Sequence, residues 1–188
     1  MIRDDREHWN KRFSERPWVG EPSPWLVRNA DLLGDAGNAI DIAGGTGRNA
    51  LWLAQLGWKV TVADVSDVAI GLAQVRAEEL DVAIDTALVD LNTESVPEGP
   101  WDVVLLFHHL HRPLIGNLIA ALAPGGLLIG ALATVRNLER NARPPLPYLV
   151  DEGETPDLLH GLDLVRYEEG WLDDHHDARF VARRPGGS

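Results

Sequence analysis

The chain has no cysteine. That excludes a disulfide framework, a thiolate metal site and a cysteine nucleophile. It has no apolar run near the ~20 residues of a membrane span, so no membrane partner is expected. It is short of positive charge: 17 Lys and Arg stand against 29 Asp and Glu, a formal net charge of −12. Phosphate recognition needs clustered cations, so nucleic acid is not the expected partner. The amino end, MIRDDREHWNKRF, is charged and lacks an apolar stretch. It does not read as a signal peptide, and the cytoplasm is the expected compartment. What is present is an ordinary globular share of hydrophobic residues, 45% of 188. That suits one domain with a full core. A small-molecule substrate is expected, and the oligomeric state is open.

The most informative stretch runs over 39–64, AIDIAGGTGRNALWLAQLGWKVTVAD. An apolar run broken only by Asp41 reads as a strand. Gly44, Gly45 and Gly47 let the backbone turn sharply and approach a ligand. A helical apolar face follows over 49–56, and Gly57 is a natural stop. A second strand ends in Asp64. This arrangement suits a nucleoside, with turn N–H groups facing it and the acid accepting from ribose hydroxyls.

Two cofactors compete for the motif. Gly45-x-Gly47-x-x-Ala50 fits the dinucleotide pattern, with Asp64 at roughly the expected ~20-residue spacing. Asp41 discriminates. An acid inside the first strand costs free energy unless it is paired. The ammonium group of S-adenosylmethionine would pair it, and NAD has no such group. The plainer alternative is that Asp41 only caps the turn.

From Ala39 the chain alternates between strand and helix signals, and after Thr134 the rhythm changes, within a core expected over 36–184. Strands are expected near 39–43, 59–64, 84–89, 101–107, 126–133, 162–169 and 178–184. Helices are expected over 4–16, 29–33, 49–56 and 152–160. Two more open at Ser66, a good N-cap, and at Pro113, a favoured first position. Val68, Leu72 and Val75 suggest the buried stripe of the first of these. A long loop is expected over 136–147. The fold class is therefore α/β, a single doubly wound Rossmann-like domain over 1–184. Its mostly parallel seven-stranded sheet ends in a late antiparallel strand pair. Residues 1–35, rich in Trp and Pro, stand apart as a segment expected to cover the active site. Residues 185–188 are expected to be a disordered tail.

The chain resembles the class I S-adenosylmethionine-dependent methyltransferases. The resemblance rests on Asp41-Ile42-Ala43-Gly44-Gly45-Thr46-Gly47-Arg48, on Asp64, on Asp90-Leu91, on Trp101-Asp102-Val103-Val104, and on Leu122-Ala123-Pro124-Gly125-Gly126. It implies a cofactor site at Asp41, Ala43, Gly44, Gly45, Gly47, Arg48, Asp64, Val65, Asp90, Leu91 and Phe107. In it Asp64 holds the ribose and Asp90 the adenine amino group. Ala43 departs from the family's first glycine, which is tolerable if its φ stays negative. A narrower likeness is to the tellurite-resistance and thiopurine-type methyltransferases. It is carried by Trp9-Asn10-x-x-Phe13, Glu21-Pro22-Ser23-Pro24-Trp25, Gly47-Arg48-Asn49-Ala50 and Tyr167-Glu168-Glu169-Gly170-Trp171. It implies methyl transfer to a sulfur or chalcogen nucleophile. A nicotinamide-dependent reductase and a non-catalytic nucleoside-binding protein are the alternatives.

The catalytic residues are not evident from the sequence. His108 and His109 follow the fourth strand, at the rim where parallel sheets place their chemistry, and either could be a general base. Arg136, with Arg140 and Arg143, could meet an anionic acceptor. No metal site is expected from His108, His109, His111, His175 and His176, because adjacent residues on an extended segment point apart. Trp9, Phe13, Trp18 and Trp25 could form an aromatic lid or anchor the amino-terminal segment.

Overall fold

The computed structural model describes residues 5–17 and 20–187. Its strands are β1 (Asn38–Ile42), β2 (Lys59–Asp64), β3 (Asp85–Leu88), β4 (Trp101–Phe107), β5 (Leu122–Ala133), β6 (Asp163–Leu172) and β7 (His175–Arg183). They form one sheet in the order β3-β2-β1-β4-β5-β7-β6. The first five pair in parallel, and β7 runs antiparallel to both β5 and β6. Chain order reverses between β1 and β4. That switch point opens a crevice at the carboxyl ends of the strands.

The helices are α1 (Asp5–Glu15), α2 (Pro24–Arg28), α3 (Arg48–Gln55), α4 (Asp67–Glu79), α5 (Arg112–Ala121) and α6 (Thr155–Leu158). Alternation along each strand divides the core between two faces. Ile40, Ile42, Val104 and Leu106 pack with α5 through Leu114, Ile115 and Leu118. Ala39, Val103, Leu105 and Phe107 pack with α2 and α3 through Trp25, Leu26, Ala50 and Leu53. No helix among the described residues is long and apolar enough to cross a membrane.

Three local expectations are corrected. The buried stripe of α4 is Ala69, Ile70, Ala73 and Ala77, while Val75 is 55% exposed. The helix lies so close to the glycine turn that a Cβ on Gly47 would stand 3.1 Å from the Ala73 Cβ. Only small residues fit that approach. The helix expected over 152–160 shrinks to the four residues of α6. The one expected over 29–33 is a 3-10 turn at Ala30–Leu32, preceded by α2.

The loop over 136–147 is tied down rather than open. It contains 3-10 turns at Val135–Glu139 and Leu146–Tyr148. The Arg140 guanidinium sits 3.8 Å from the centre of the Trp171 ring. Asn141 Nδ2 donates to the Asp174 carbonyl at 2.7 Å.

The amino-terminal segment divides in two. Trp25 is 6% exposed, and its Nε1 donates to the Phe180 carbonyl at 3.0 Å. That tryptophan is core. By contrast α1 buries no residue. Its Trp9 and Phe13 rings stack on each other at 5.8 Å. Trp18 lies outside the described residues.

Candidate cofactor and acceptor site

Asp41, Ala43, Gly44, Gly45, Gly47 and Arg48 lie at the end of β1 and the start of α3. Asp64 ends β2, with Val65 beside it; Asp90 and Leu91 follow β3; Phe107 ends β4. The parallel sheet therefore brings these positions to one rim. The chain turns there under strain. Ala43 has a φ of 51° and His108 a φ of 57°. The expectation of a negative φ at Ala43 is thus overturned. The left-handed conformation costs a residue with a Cβ roughly 1–2 kcal/mol. The two strained residues follow the adjacent strands β1 and β4, on either side of the switch point. Strain of this kind persists where a site requires it.

Asp41 is 1% exposed. It accepts a hydrogen bond from the Ala50 N–H, yet its Oδ2 is buried without a partner. Burial pushes its carboxyl up to about 7, against the opposing pull of Arg48. Gly44 stands over this acid. A Cβ there would lie 3.0 Å from the orphaned oxygen. A buried acceptor under a glycine fits the ammonium group of S-adenosylmethionine. Arg48 is half-buried at the first position of α3. Its charge is disfavoured by burial and supported by Asp41.

The glycine turn differs from the expected nest of free N–H groups. Gly44 N donates to the Ala63 carbonyl at 3.2 Å, and Gly47 N to the Gly44 carbonyl at 3.0 Å. Gly45 N donates to Asp64 Oδ2 at 2.8 Å. A dinucleotide pyrophosphate needs such groups free at the helix start. Here the turn offers its Cα surface, and the sequence could not tell these uses of glycine apart.

Asp64 is 7% exposed and holds the site from within. Its Oδ1 accepts from Ser66 N at 2.8 Å. Burial raises its pKa above the usual carboxylate range, while the N–H groups of Ser66 and Gly45 oppose the rise. Each carboxylate oxygen keeps a further lone pair for a ribose hydroxyl. Ser66 caps α4, its Oγ accepting from Ala69 N at 3.1 Å. We expect Asp64→Asn to weaken binding of S-adenosylhomocysteine about tenfold, the loss of roughly one charge-assisted hydrogen bond. Calorimetry on a variant that keeps its melting temperature checks this. Unchanged affinity would reduce Asp64 to a structural brace for the turn.

Asp90 follows β3, and its Oδ1 accepts from Asn92 N at 3.0 Å. His109 is half-buried nearby, and its Nε2 is buried without a partner. Burial lowers its pKa, helped by His111 and opposed by Asp5 and Asp90. Arg136 is not free for an acceptor. Its Nε donates to Glu139 Oε1 at 2.8 Å, and Glu152 lies 3.9 Å from its Nη1.

Three residues that sequence reasoning did not assign to the acceptor join His108 on the other side of the crevice. They are His175, Asp177 and Arg179 of β7. His108 Nε2 lies 3.9 Å from Asp177 Oδ2, and its ring centre is 6.5 Å from that of His175. The His108 ring keeps 45% of its side-chain surface open. The protein around the rest of it lowers its pKa; Asp177 opposes this, and Arg48, His175 and Arg179 add to it. A neutral imidazole facing a carboxylate can accept a proton. The signal in the sequence was the pair Asp177 and Arg179, charged at alternate positions of a strand that is otherwise buried.

The methyltransferase domain family matches residues 39–126. The probable S-adenosyl-L-methionine-dependent methyltransferase TehB of Haemophilus influenzae is 26% identical over 180 residues, which are 90% of this chain and 59% of that protein. A ubiquinone biosynthesis O-methyltransferase of Paramagnetospirillum magneticum is 32% identical over 97 residues, 49% of this chain and 39% of that one. The chain thus spans well under two thirds of these relatives. Among solved structures, TehB of Haemophilus influenzae superposes with a TM-score of 0.77 at 21% identity, covering 94% of this chain and 67% of that one. The N-methyltransferase NodS of Bradyrhizobium japonicum, in complex with S-adenosyl-L-homocysteine, gives 0.72 at 23% identity, covering 97% and 99%. These likenesses speak for the fold, and the orphaned Asp41 oxygen speaks for the cofactor. Matched domain, fold and motif together liken this chain to the class I S-adenosylmethionine-dependent methyltransferases, TehB among them, and the orphaned Asp41 oxygen fits the cofactor of those proteins.

Proposed function

We propose that the protein transfers a methyl group to a small soft nucleophile, sulfur or a heavier chalcogen. The carrying observation is the buried, unpartnered Oδ2 of Asp41 beneath Gly44, beside a turn whose glycine N–H groups are internally satisfied. Asp41 would hold the cofactor's ammonium group, Asp64 the ribose and Asp90 the adenine edge. Phe107, 8% exposed, would pack beneath the cofactor at the end of β4. When bound, the sulfonium group supplies the methyl. The chain's own work is alignment and exclusion of water. A thiol acceptor must also lose its proton. His108 is placed to take it at Nε2, and Asp177 then faces the imidazolium that forms. The O- and N-methyltransferase relatives make hydroxyl and amine acceptors the outcomes to test against.

Calorimetry with S-adenosylhomocysteine and with NAD tests the reading. We expect micromolar binding of the first and little binding of the second. Tighter binding of NAD would sink it.

A further inference from the structure

One cluster at the rim is more than the cofactor needs. Arg179 is 6% exposed in the middle of β7. Its Nε donates to Glu168 Oε1 at 2.8 Å, and its Nη2 to the Gly170 carbonyl at 3.2 Å. Its Nη1 is buried with no hydrogen-bond partner. Glu168 is already shared: Arg28 Nη2 lies 2.7 Å from the same Oε1. Two guanidinium groups therefore lean on one carboxylate, and one positive charge is left over. Two residues before Arg179, Asp177 has its Oδ1 buried without a partner as well.

A buried donor or acceptor left unmade costs about 1–3 kcal/mol, and more when charged. Two such atoms of opposite sign, on alternate residues of one strand, are a structural loss unless something completes them. Register places them beside the crevice. Arg179 pairs with Ala131 of β5, which pairs with Phe107 at the end of β4. His108, the next residue, faces Asp177. Alternate residues of a strand stand roughly 7 Å apart. A single small molecule can span that distance.

We propose that Arg179 and Asp177 form the acceptor-anchoring subsite, and that it selects small acceptors carrying an anionic oxygen a few bonds from the nucleophile. Arg179 Nη1 holds the anionic oxygen. Asp177 Oδ1 receives the hydrogen-bond donor of the nucleophilic end and keeps it by His108. A thiol acid meets this description. A plain amine does not, because it leaves Arg179 unmatched. The inference rests on the methyltransferase reading and narrows its substrate class.

The test uses the full chain saturated with S-adenosylhomocysteine. Acetate and its neutral counterpart acetamide serve as probes, read by the side-chain Nε–H signal of Arg179 in 15N-labelled protein. We expect acetate to shift that signal in a saturable way in the millimolar range, and acetamide to bind at least tenfold more weakly. Followed in the variants by the backbone amide signal of Asp177, acetate binding should be abolished in Arg179→Gln and partly restored in Arg179→Lys, with the affinity for S-adenosylhomocysteine within about twofold of wild type. Equal binding of the two probes, or no perturbation at Arg179, overturns the subsite even if the variants prove unstable. Failure of S-adenosylhomocysteine itself to bind is a different result, and strikes the methyltransferase reading instead.

Discussion

Asp41→Asn is expected to lower the affinity for S-adenosylhomocysteine by about 1.5–3 kcal/mol, some ten- to a hundredfold, without loss of fold. The physical reason is the unpartnered Oδ2. A hydrogen bond between charged groups is worth about 1.5–3 kcal/mol, and the amide removes its anionic half. The same substitution should change stability in the opposite sense. The Asp41 carboxyl sits at about 7 in the folded chain because burial disfavours its charge. In the unfolded chain an aspartate titrates at about 3.9. The folded state therefore holds a proton that the unfolded state has lost. The contribution of the protonated group is complete below about pH 4 and is lost as the pH rises through about 7. Across that window the cost is on the order of a few kcal/mol. The ligand-free wild type should thus lose melting temperature between about pH 4 and 7, and the variant should lose less. Binding of S-adenosylhomocysteine near pH 7 should release a fraction of a proton, seen as a buffer-dependent heat. A variant with unchanged affinity would falsify the ammonium role of Asp41.

Removing residues 1–16 is expected to leave a folded core that exchanges cofactor faster and transfers methyl groups poorly. Among the described residues, polar contacts latch the helix it deletes. Ser66 Oγ donates to Asn10 Oδ1 at 2.7 Å, and Asn10 Nδ2 donates to Asp67 Oδ1 at 2.7 Å. Arg6 Nε donates to the Val65 carbonyl at 3.2 Å, and Asn92 Nδ2 to Asp5 Oδ2 at 3.0 Å. A Cβ on Gly45 would stand 3.3 Å from Phe13 Cζ. The helix thus lies across the glycine turn, the tip of β2 and the loop after β3. We propose that this places it over the cofactor side of the crevice. Exposed polar contacts contribute little to stability, so the core should keep its melting temperature within a few degrees. Closure should slow cofactor escape and exclude water. We expect dissociation of S-adenosylhomocysteine to quicken at least tenfold, measured by stopped flow. A cut through residue 25 should behave differently. It removes the buried Trp25, whose loss costs about 3–5 kcal/mol, and should unfold the chain. An unchanged dissociation rate after the shorter deletion would take the lid out of the mechanism.

The elements that sequence located well share a strong local signal. The alternation of apolar runs and helical faces put β1, β2 and β4 within about one residue of their observed bounds. Ser66 as an N-cap was legible because capping is a contact between near neighbours. The α4 stripe misled for the opposite reason. Its true face is set by the distance to Gly47, which no spacing within the helix records. The amino-terminal segment also read as one unit, whereas Trp25 belongs to the core and Trp9 to the polar latch.

From its residues alone this chain determined its architecture, and the same residues carried the expectation of a cofactor class and of the acids that would hold it. Strand, turn and cap preferences act over a few residues, and Asp41 inside an apolar run already demanded a cationic partner. The acceptor side was decided only by the tertiary structure. His108 and Arg179 are 71 positions apart, and nothing local to either records that they meet. The antiparallel insertion of β7 beside β5 brings them to one rim and leaves Arg179 Nη1 and Asp177 Oδ1 buried without partners. A missing hydrogen bond is a property of the packed chain, because every such group in the unfolded chain is satisfied by water.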